Sequence, residues 1–305
     1  MDKKAVSFPK TIGKIAILFI ASFIIINGGN FGIFTLFQSV YSMLHDVSPI
    51  SENDLGQMIL QNPLFLGVSS FANILFLAFL YFFVKKVDKQ SMKQMIFTDP
   101  SNRNAAMFRY GVAIALITMI VFILFGTVTG MIKYASEESL QAVNGKFAAF
   151  LASGIFFSVV TGFYEEIFFR GYILNQLLKW NRKYALVISS IIFMLSEITN
   201  VIKPLDLLGL FLTGIFFGYL YMSTSSLFIT AGIHSTLHFL LLNIVTLQKY
   251  DYGLPTLFTF NSQVTMDFAS STGVCTVFVN TVSIILLYLF NKRKAAGVSI
   301  AKVSA

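Results

Sequence analysis

The chain has 305 residues, 56% of them hydrophobic and only 12% charged, with 22 Lys and Arg against 14 Asp and Glu. Soluble globular domains carry about 25% charged residues, so half that share together with 34 Phe excludes an ordinary soluble domain and points to a polytopic membrane protein. A single cysteine, Cys275, excludes an internal disulfide framework.

A membrane-crossing helix needs about 20 mostly apolar residues. Eight segments qualify in chain order: 15–41, 63–84, 108–132, 147–171, 184–203, 205–222, 226–248 and 272–291. The first apolar run is too long for the core of a cleaved signal peptide and is read as a retained span. The first, fourth and seventh are long enough to tilt. The sixth and seventh are separated only by the turn STSS (223–226), which predicts an antiparallel hairpin. The expected fold is therefore all-α, a polytopic bundle of about eight transmembrane helices.

Orientation follows from Lys and Arg, which stay on the cytoplasmic side. With the N-terminus inside, alternation leaves only Lys133, Lys146, Lys203 and Lys249 of the 22 basic residues outside. Both termini are then cytoplasmic. The loop HDVSPISEND (45–54), with three acids and no Lys or Arg, suits the outer side, and His45 is expected to be solvated there. The net charge of +8 is thus a topology signal and a handle for anionic lipid, with no nucleic acid implied. Three divisions are expected: N-terminal helices over 1–146, a four-span core over 147–243, and an outer loop, last helix and basic tail over 244–305. The long stretch 249–271 is expected outside the cell, as a lid or a linker.

Ionisable groups inside a span cost about 2.5–3.5 kcal/mol each at mid-membrane. The chain has few: Glu165, Glu166 and Arg170 in FYEEIFFRGY, Glu197 in the fifth span, and His234 and His238 in the seventh. At about 1.5 Å per residue they fall about 12–21 Å from the cytoplasmic ends of their spans. Three spans thus offer carboxylates and imidazoles at a common depth, and a shared polar cavity satisfies them together. Each group also has a structural reading. Glu166 and Arg170 stand at i, i+4 in the favourable order for an ion pair; His234 and His238 share a helical face and would also suit a packed core; Glu197 closes a polar span end. Gly214 and Gly218 fit close helix packing.

The set permits one chemistry in particular. A carboxylate in a water-poor cavity can act as general base on water, a second acid and an Arg can hold it, and imidazoles can donate to a developing oxyanion. No GxSxG elbow is present, and Cys275 lies in the last span, away from the histidines in sequence. A zinc set of Glu165, His234 and His238 stays open as well, although the HExxH pattern of soluble zinc proteases is absent.

EEIFFRG (165–171) resembles the EExxxR motif of the CPBP family of intramembrane proteases (the CAAX-processing and bacteriocin-processing or immunity proteins, also called the Abi family). ISSIIFMLSE (188–197) resembles that family's FxxxH motif from Phe193, and LFLTGIFFGYLYMSTSSLFITAGIHSTLHF (210–239) resembles the glycine-bearing hairpin that leads into its HxxxN motif at His234. The resemblance spans about 147–243. It implies that Glu165 activates water, that Glu166 and Arg170 support it, and that His234 helps to form the oxyanion site. The substrate it implies is a membrane-associated, prenylated or bacteriocin-like peptide, and the location it implies is the bacterial plasma membrane. Two positions depart from the pattern: Glu197 stands where the family has His, and His238 where it commonly has Asn. Three carboxylates in one cavity cannot all carry charge cheaply without a compensating cation, so Glu197 is the serious departure. The leading reading is an intramembrane endopeptidase. The alternatives are a non-catalytic protein of the same fold, acting in bacteriocin self-immunity or as a regulatory binding partner, and a small proton-coupled carrier, which the lack of an inverted repeat disfavours.

Overall fold

A chain in hydrocarbon must satisfy its own backbone hydrogen bonds, which helices do within one segment. The computed structural model describes residues 7–44, 55–56, 59, 62–96, 103–134, 145–198, 203–243, 245–246, 257–261 and 266–303, and these are helical apart from short turns and three short strands. In order they are α1 (Phe8–Leu44), α2 (Pro63–Phe83) with a π-helical extension Val84–Asp88, α3 (Met92–Ile96), α4 (Asn104–Val128), β1 (Ile132–Tyr134), α5 (Gly145–Glu166), a π-helical turn Ile167–Leu174, α6 (Asn175–Trp180), α7 (Arg182–Ser196), α8 (Pro204–Thr224), α9 (Leu227–Asn243), β2 (Val245–Thr246), β3 (Phe258–Phe260) and α10 (Ser271–Val303). The acidic loop 45–54 with His45, and most of 249–271, lie outside the described residues.

The protein is a multi-pass helical membrane bundle. Among the described residues six stretches are long and apolar enough to cross a membrane: Phe8–Leu44, Pro63–Asp88, Asn104–Val128, Leu151–Trp180, Pro204–Thr224 and Ser271–Arg293. The other two expected spans correspond to α7 and α9, of 15 and 17 residues. At about 1.5 Å per residue these reach about 22 and 25 Å, short of the roughly 30 Å hydrocarbon core. Both are the helices that carry site residues, and each leans on longer neighbours: α9 packs against α4 and α5, and α7 against α8.

Small residues let these helices approach closely. A Cβ on Gly111 of α4 would stand 2.3 Å from the Ile229 carbonyl oxygen, and one on Gly232 of α9 would stand 2.4 Å from that of Phe108. Gly214 and Gly218 of α8 lie equally tight on α7, where an added Cβ would meet Ser190 Cα at 2.8 Å and Leu186 Cδ1 at 2.6 Å. The remaining neighbours extend the bundle outward, α2 on α5 and α1 on α2 on one flank, α10 on α8 and α4 on the other.

The two ends of the bundle differ in chemistry. At one end Lys14 of α1 forms an ion pair with the Asp88 side chain, which is buried, Lys179 donates to Gln90 at 3.1 Å, and the Phe8 and Trp180 rings meet in a tilted contact at 4.1 Å. Asn291 of α10 donates to Ser223 at the end of α8. The start of α1 and the ends of α2 and α6 therefore meet where basic residues cluster. The opposite end carries the three strands in the order β1-β3-β2, β1 antiparallel and β2 parallel to β3. Ile132, Val245 and Phe260 from these strands close over Met119, Phe122, Cys275 and Val279. There Asp206 Oδ1 accepts from Ser270 N and Oγ, each at 3.0 Å, which fixes the start of α10 to the start of α8.

Candidate active site

The charged run of α5 changes helix type where it meets the core. From Ile167 to Leu174 the turn is π-helical and every residue is buried; such wider turns are often found at functional sites. Packing against α2 and α7 fixes this segment. Phe76 of α2 meets the Phe168 ring at 5.0 Å and Tyr164 at 5.5 Å, and Phe193 of α7 meets Phe169 edge-on at 5.1 Å. Asn73 of α2 donates to Thr161 at 3.0 Å, one turn before the glutamates. The glutamates are thereby set on a surface with little freedom to move.

A linear chain of contacts follows. Arg170 Nη1 donates to Glu166 Oε1 at 2.9 Å. The same oxygen lies 2.9 Å from His234 Nδ1. On the other face of that ring, Nε2 lies 3.4 Å from Glu165 Oε2. Glu166 is fully buried and Arg170 2% exposed. A carboxylate bound to a guanidinium can only accept, so His234 Nδ1 carries the hydrogen and its Nε2 is aimed at Glu165. The expected ion pair is therefore real, and Glu166 has a second task that the spacing did not reveal: it orients the imidazole.

Aromatic faces complete the cradle. The Arg170 guanidinium carbon lies 4.7 Å from the Phe193 ring centroid and 5.0 Å from that of Phe217. His234 stacks on Phe217 at 5.1 Å with 17° between the planes and meets Phe193 edge-on at 6.4 Å. A buried cation over such rings gains about 2 kcal/mol, which helps to hold Arg170 in a site with a single bonded carboxylate oxygen. Phe217 was not among the residues picked out from the sequence. The need of a buried Arg for aromatic neighbours is a signal, but it does not say which of 34 Phe supplies them.

His238 lies one turn beyond His234, with ring centroids 5.0 Å apart. Glu165, His234 and His238 offer ligand atoms that all lie within 4.8 Å of one another, so the donor set fits a metal ion of the zinc class by chemistry and spacing. Five of the six expected residues thus converge. Glu197 is placed differently. It caps the C-terminus of α7, half-buried, just past the last helical turn, and interacts electrostatically with Glu165 and with Tyr164. Tyr164, buried beside Glu165, is a further neighbour that the sequence did not single out.

Residues 147–240 match the family model described as type II CAAX prenyl endopeptidase Rce1-like. That stretch is similar to an Rce1-like domain. The match covers under half of the 305 residues and includes all six residues expected from the sequence. This is consistent with the CPBP resemblance of the three motifs. No curated protein and no solved structure matches the chain. Within the matched residues α5, α7 and α9 each carry one motif, and α1 to α4 and α10 pack around these helices.

Proposed function

We propose that the protein is an intramembrane endopeptidase that hydrolyses a peptide bond in a membrane-associated, prenylated or bacteriocin-like peptide with water activated by Glu165. The observation that carries this reading is the chain Arg170–Glu166–His234–Glu165, which leaves one carboxylate and one imidazole nitrogen facing each other in a buried site. Glu165 takes a proton from water as the water oxygen bonds to the scissile carbonyl carbon. In its imidazolium form His234 donates Nε2–H to the oxyanion while Nδ1–H stays on Glu166; His238, on the same helix face, adds a second donor. When the tetrahedral intermediate collapses, the C–N bond breaks and Glu165 returns the proton to the leaving amine. The Rce1-like match at 147–240 supports the peptidase class and the lipidated substrate.

The gathering of basic residues at the Lys14–Asp88–Lys179 end supports placing that end in the cytoplasm, with the three-stranded sheet outside and both termini inside. The site is then reached from the cytoplasmic half of a bacterial plasma membrane.

The test compares wild type with Glu165→Gln in the host at matched membrane levels, mapping new peptide N-termini in membrane and medium by mass spectrometry. A terminus that depends on Glu165 identifies the substrate. Identical termini, with any host phenotype kept by the variant, would replace this reading with the non-catalytic one of self-immunity or partner regulation, for which the glutamate at 197 is the motivating observation.

A further inference from the structure

We infer that a row of buried hydroxyls between α2, α5 and α9 binds water and feeds it to Glu165 from the side of the bundle away from the basic end. The inference rests on the reading of Glu165 as the residue that activates water, and it adds the route by which that water arrives.

Two observations carry it. The first is a set of hydroxyls that do not satisfy themselves. A Ser or Thr on a helix in hydrocarbon can donate to a carbonyl one turn earlier. Ser69 does so to Leu66 at 2.7 Å, Ser190 to Leu186 at 2.8 Å and Thr230 to Leu227 at 3.0 Å. Ser70, Ser158 and Ser235 do not. They are 0%, 1% and 3% exposed, and their Oγ atoms are buried with no partner among the described residues. An unbonded buried hydroxyl is costly. Water supplies the missing partner, since it sits in protein interiors where several polar atoms converge.

The second is where these hydroxyls stand. Ser158, Thr161, Gly162 and Glu165 share one face of α5. On one side of that face Thr161 accepts from Asn73 of α2 at 3.0 Å. On the other an added Cβ at Gly162 would stand 2.3 Å from Ser235 Oγ of α9. Ser158 and Glu165 lie on the stripe between. An added Cβ at Gly67 of α2 would stand 3.6 Å from Ser153 Oγ of α5, and this approach and the Asn73–Thr161 bond bracket Ser70 and Ser158 at one level. The row runs from Glu165 toward the start of α5 and ends at the half-buried Ser153, about 18 Å away. Lys14, Asp88 and Lys179 lie beyond the other end of α5.

The chemistry needs such a route. Each cleavage consumes one water. Its oxygen bonds to the carbonyl carbon, one proton passes through Glu165 to the leaving amine as the C–N bond breaks, and the other stays on the new carboxyl group until that ionises. A peptide lying across the site from the cytoplasmic half shuts out bulk water there. Water held along Ser70, Ser158 and Ser235 replaces the one consumed.

The experiment exposes the full chain in detergent to brief X-ray pulses, which turn bound water into hydroxyl radicals, and reads oxidised side chains by mass spectrometry. Phe76, fully buried one turn beyond Asn73 on α2, is the reporter; Phe122, 7% exposed in the apolar cluster under the strands, is the control. The expected result is clear labelling of Phe76 over Phe122 in wild type, lost in Ser70→Ala/Ser158→Ala. In the same double variant kcat for the peptide identified by terminus mapping falls roughly tenfold with KM unchanged. The variant is first checked for an unchanged size-exclusion profile and, if it fails, is replaced by Ser70→Ala alone. Wild type with Phe76 labelled no more than Phe122 overturns the inference, and this is the result that a role in helix packing alone would give. A variant that loses the label yet cleaves at the wild-type rate overturns it as well. Glu165-dependent cleavage by a protein with an unlabelled row sinks the route and leaves the peptidase standing; a labelled, serine-dependent row without Glu165-dependent cleavage keeps the water site and sinks the peptidase.

Discussion

Glu166 and His234 meet across α5 and α9 through Oε1 and Nδ1 at 2.9 Å, with Glu166 fully buried and already bonded to Arg170. One oxygen thus ties a cation on its own helix to an imidazole 68 residues away. The contact decides which His234 nitrogen faces Glu165, and it makes the ion pair part of the site's geometry as well as of its stability.

Breaking that pair from one side is expected to be costly. Glu166→Gln leaves Arg170 charged and uncompensated in the core, for a loss of about 3–5 kcal/mol. The double variant Glu166→Gln/Arg170→Met removes both charges and is expected to lose clearly less than the sum of the single changes. Denaturant unfolding in detergent gives all three values; strict additivity would show that the two residues do not act as a unit.

Gly162 sets the spacing of α5 and α9. An added Cβ there would stand 2.7 Å from Ser235 N and 2.3 Å from Ser235 Oγ, next to His234. Gly162→Ala is expected to push α9 outward and lengthen the 3.4 Å gap between His234 and Glu165. A displacement of about 1 Å can cost on the order of 100-fold in rate. Gly28→Ala, with nothing within 4 Å of the new atom, serves as the control. Cleavage of the identified peptide in proteoliposomes reads the difference, and equal rates for the two variants would show that this helix contact does not position the site.

Much of this was legible in the sequence because helices repeat. Glu166 and Arg170, and His234 and His238, stand four apart, and that spacing alone puts each pair on one face. The close approach at Gly214 and Gly218 was legible for the same reason. What escaped was set by contacts between helices. The π-helical turn at 167–174 has no sequence signature of its own. The orientation of His234 by Glu166 needs the distance between two helices, and the choice of Phe217 needs the rotation of α8. The shortness of α7 and α9 was hidden because scattered apolar residues follow both, Ile198, Val201 and Ile202 after Ser196 and Ile244, Val245 and Leu247 after Asn243. The strands β1, β2 and β3, of two or three residues each, are too brief to leave an alternating pattern.

Phe217 is expected to matter through the rings and cations that it touches. Phe217→Leu keeps an apolar side chain but removes the face on which His234 stacks and over which Arg170 lies. A stability loss of about 1–2 kcal/mol is expected from the cation–π contact, with a fall in the cleavage rate at saturating peptide and little change in the concentration that half-saturates it. Phe217→Trp, which keeps a ring face, should recover much of the rate. A loss confined to peptide affinity would instead place Phe217 against the substrate.

Glu197 offers the sharpest check on how the site departs from its motif. It occupies the position where FxxxH carries histidine, and it acts on Glu165 with like charge. Glu197→His removes that repulsion and restores an imidazole at the end of α7. If Glu165 is the base, the variant should cleave the same peptide bond at no less than the wild-type rate, since nothing in the step assigned to Glu165 calls for a second carboxylate. Product mapping by mass spectrometry, alongside Glu165→Gln as the inactive reference, measures both rate and position of cleavage. A variant that is well folded yet as inactive as Glu165→Gln would give Glu197 an indispensable part in the chemistry and would require the base assignment to be divided between the two carboxylates.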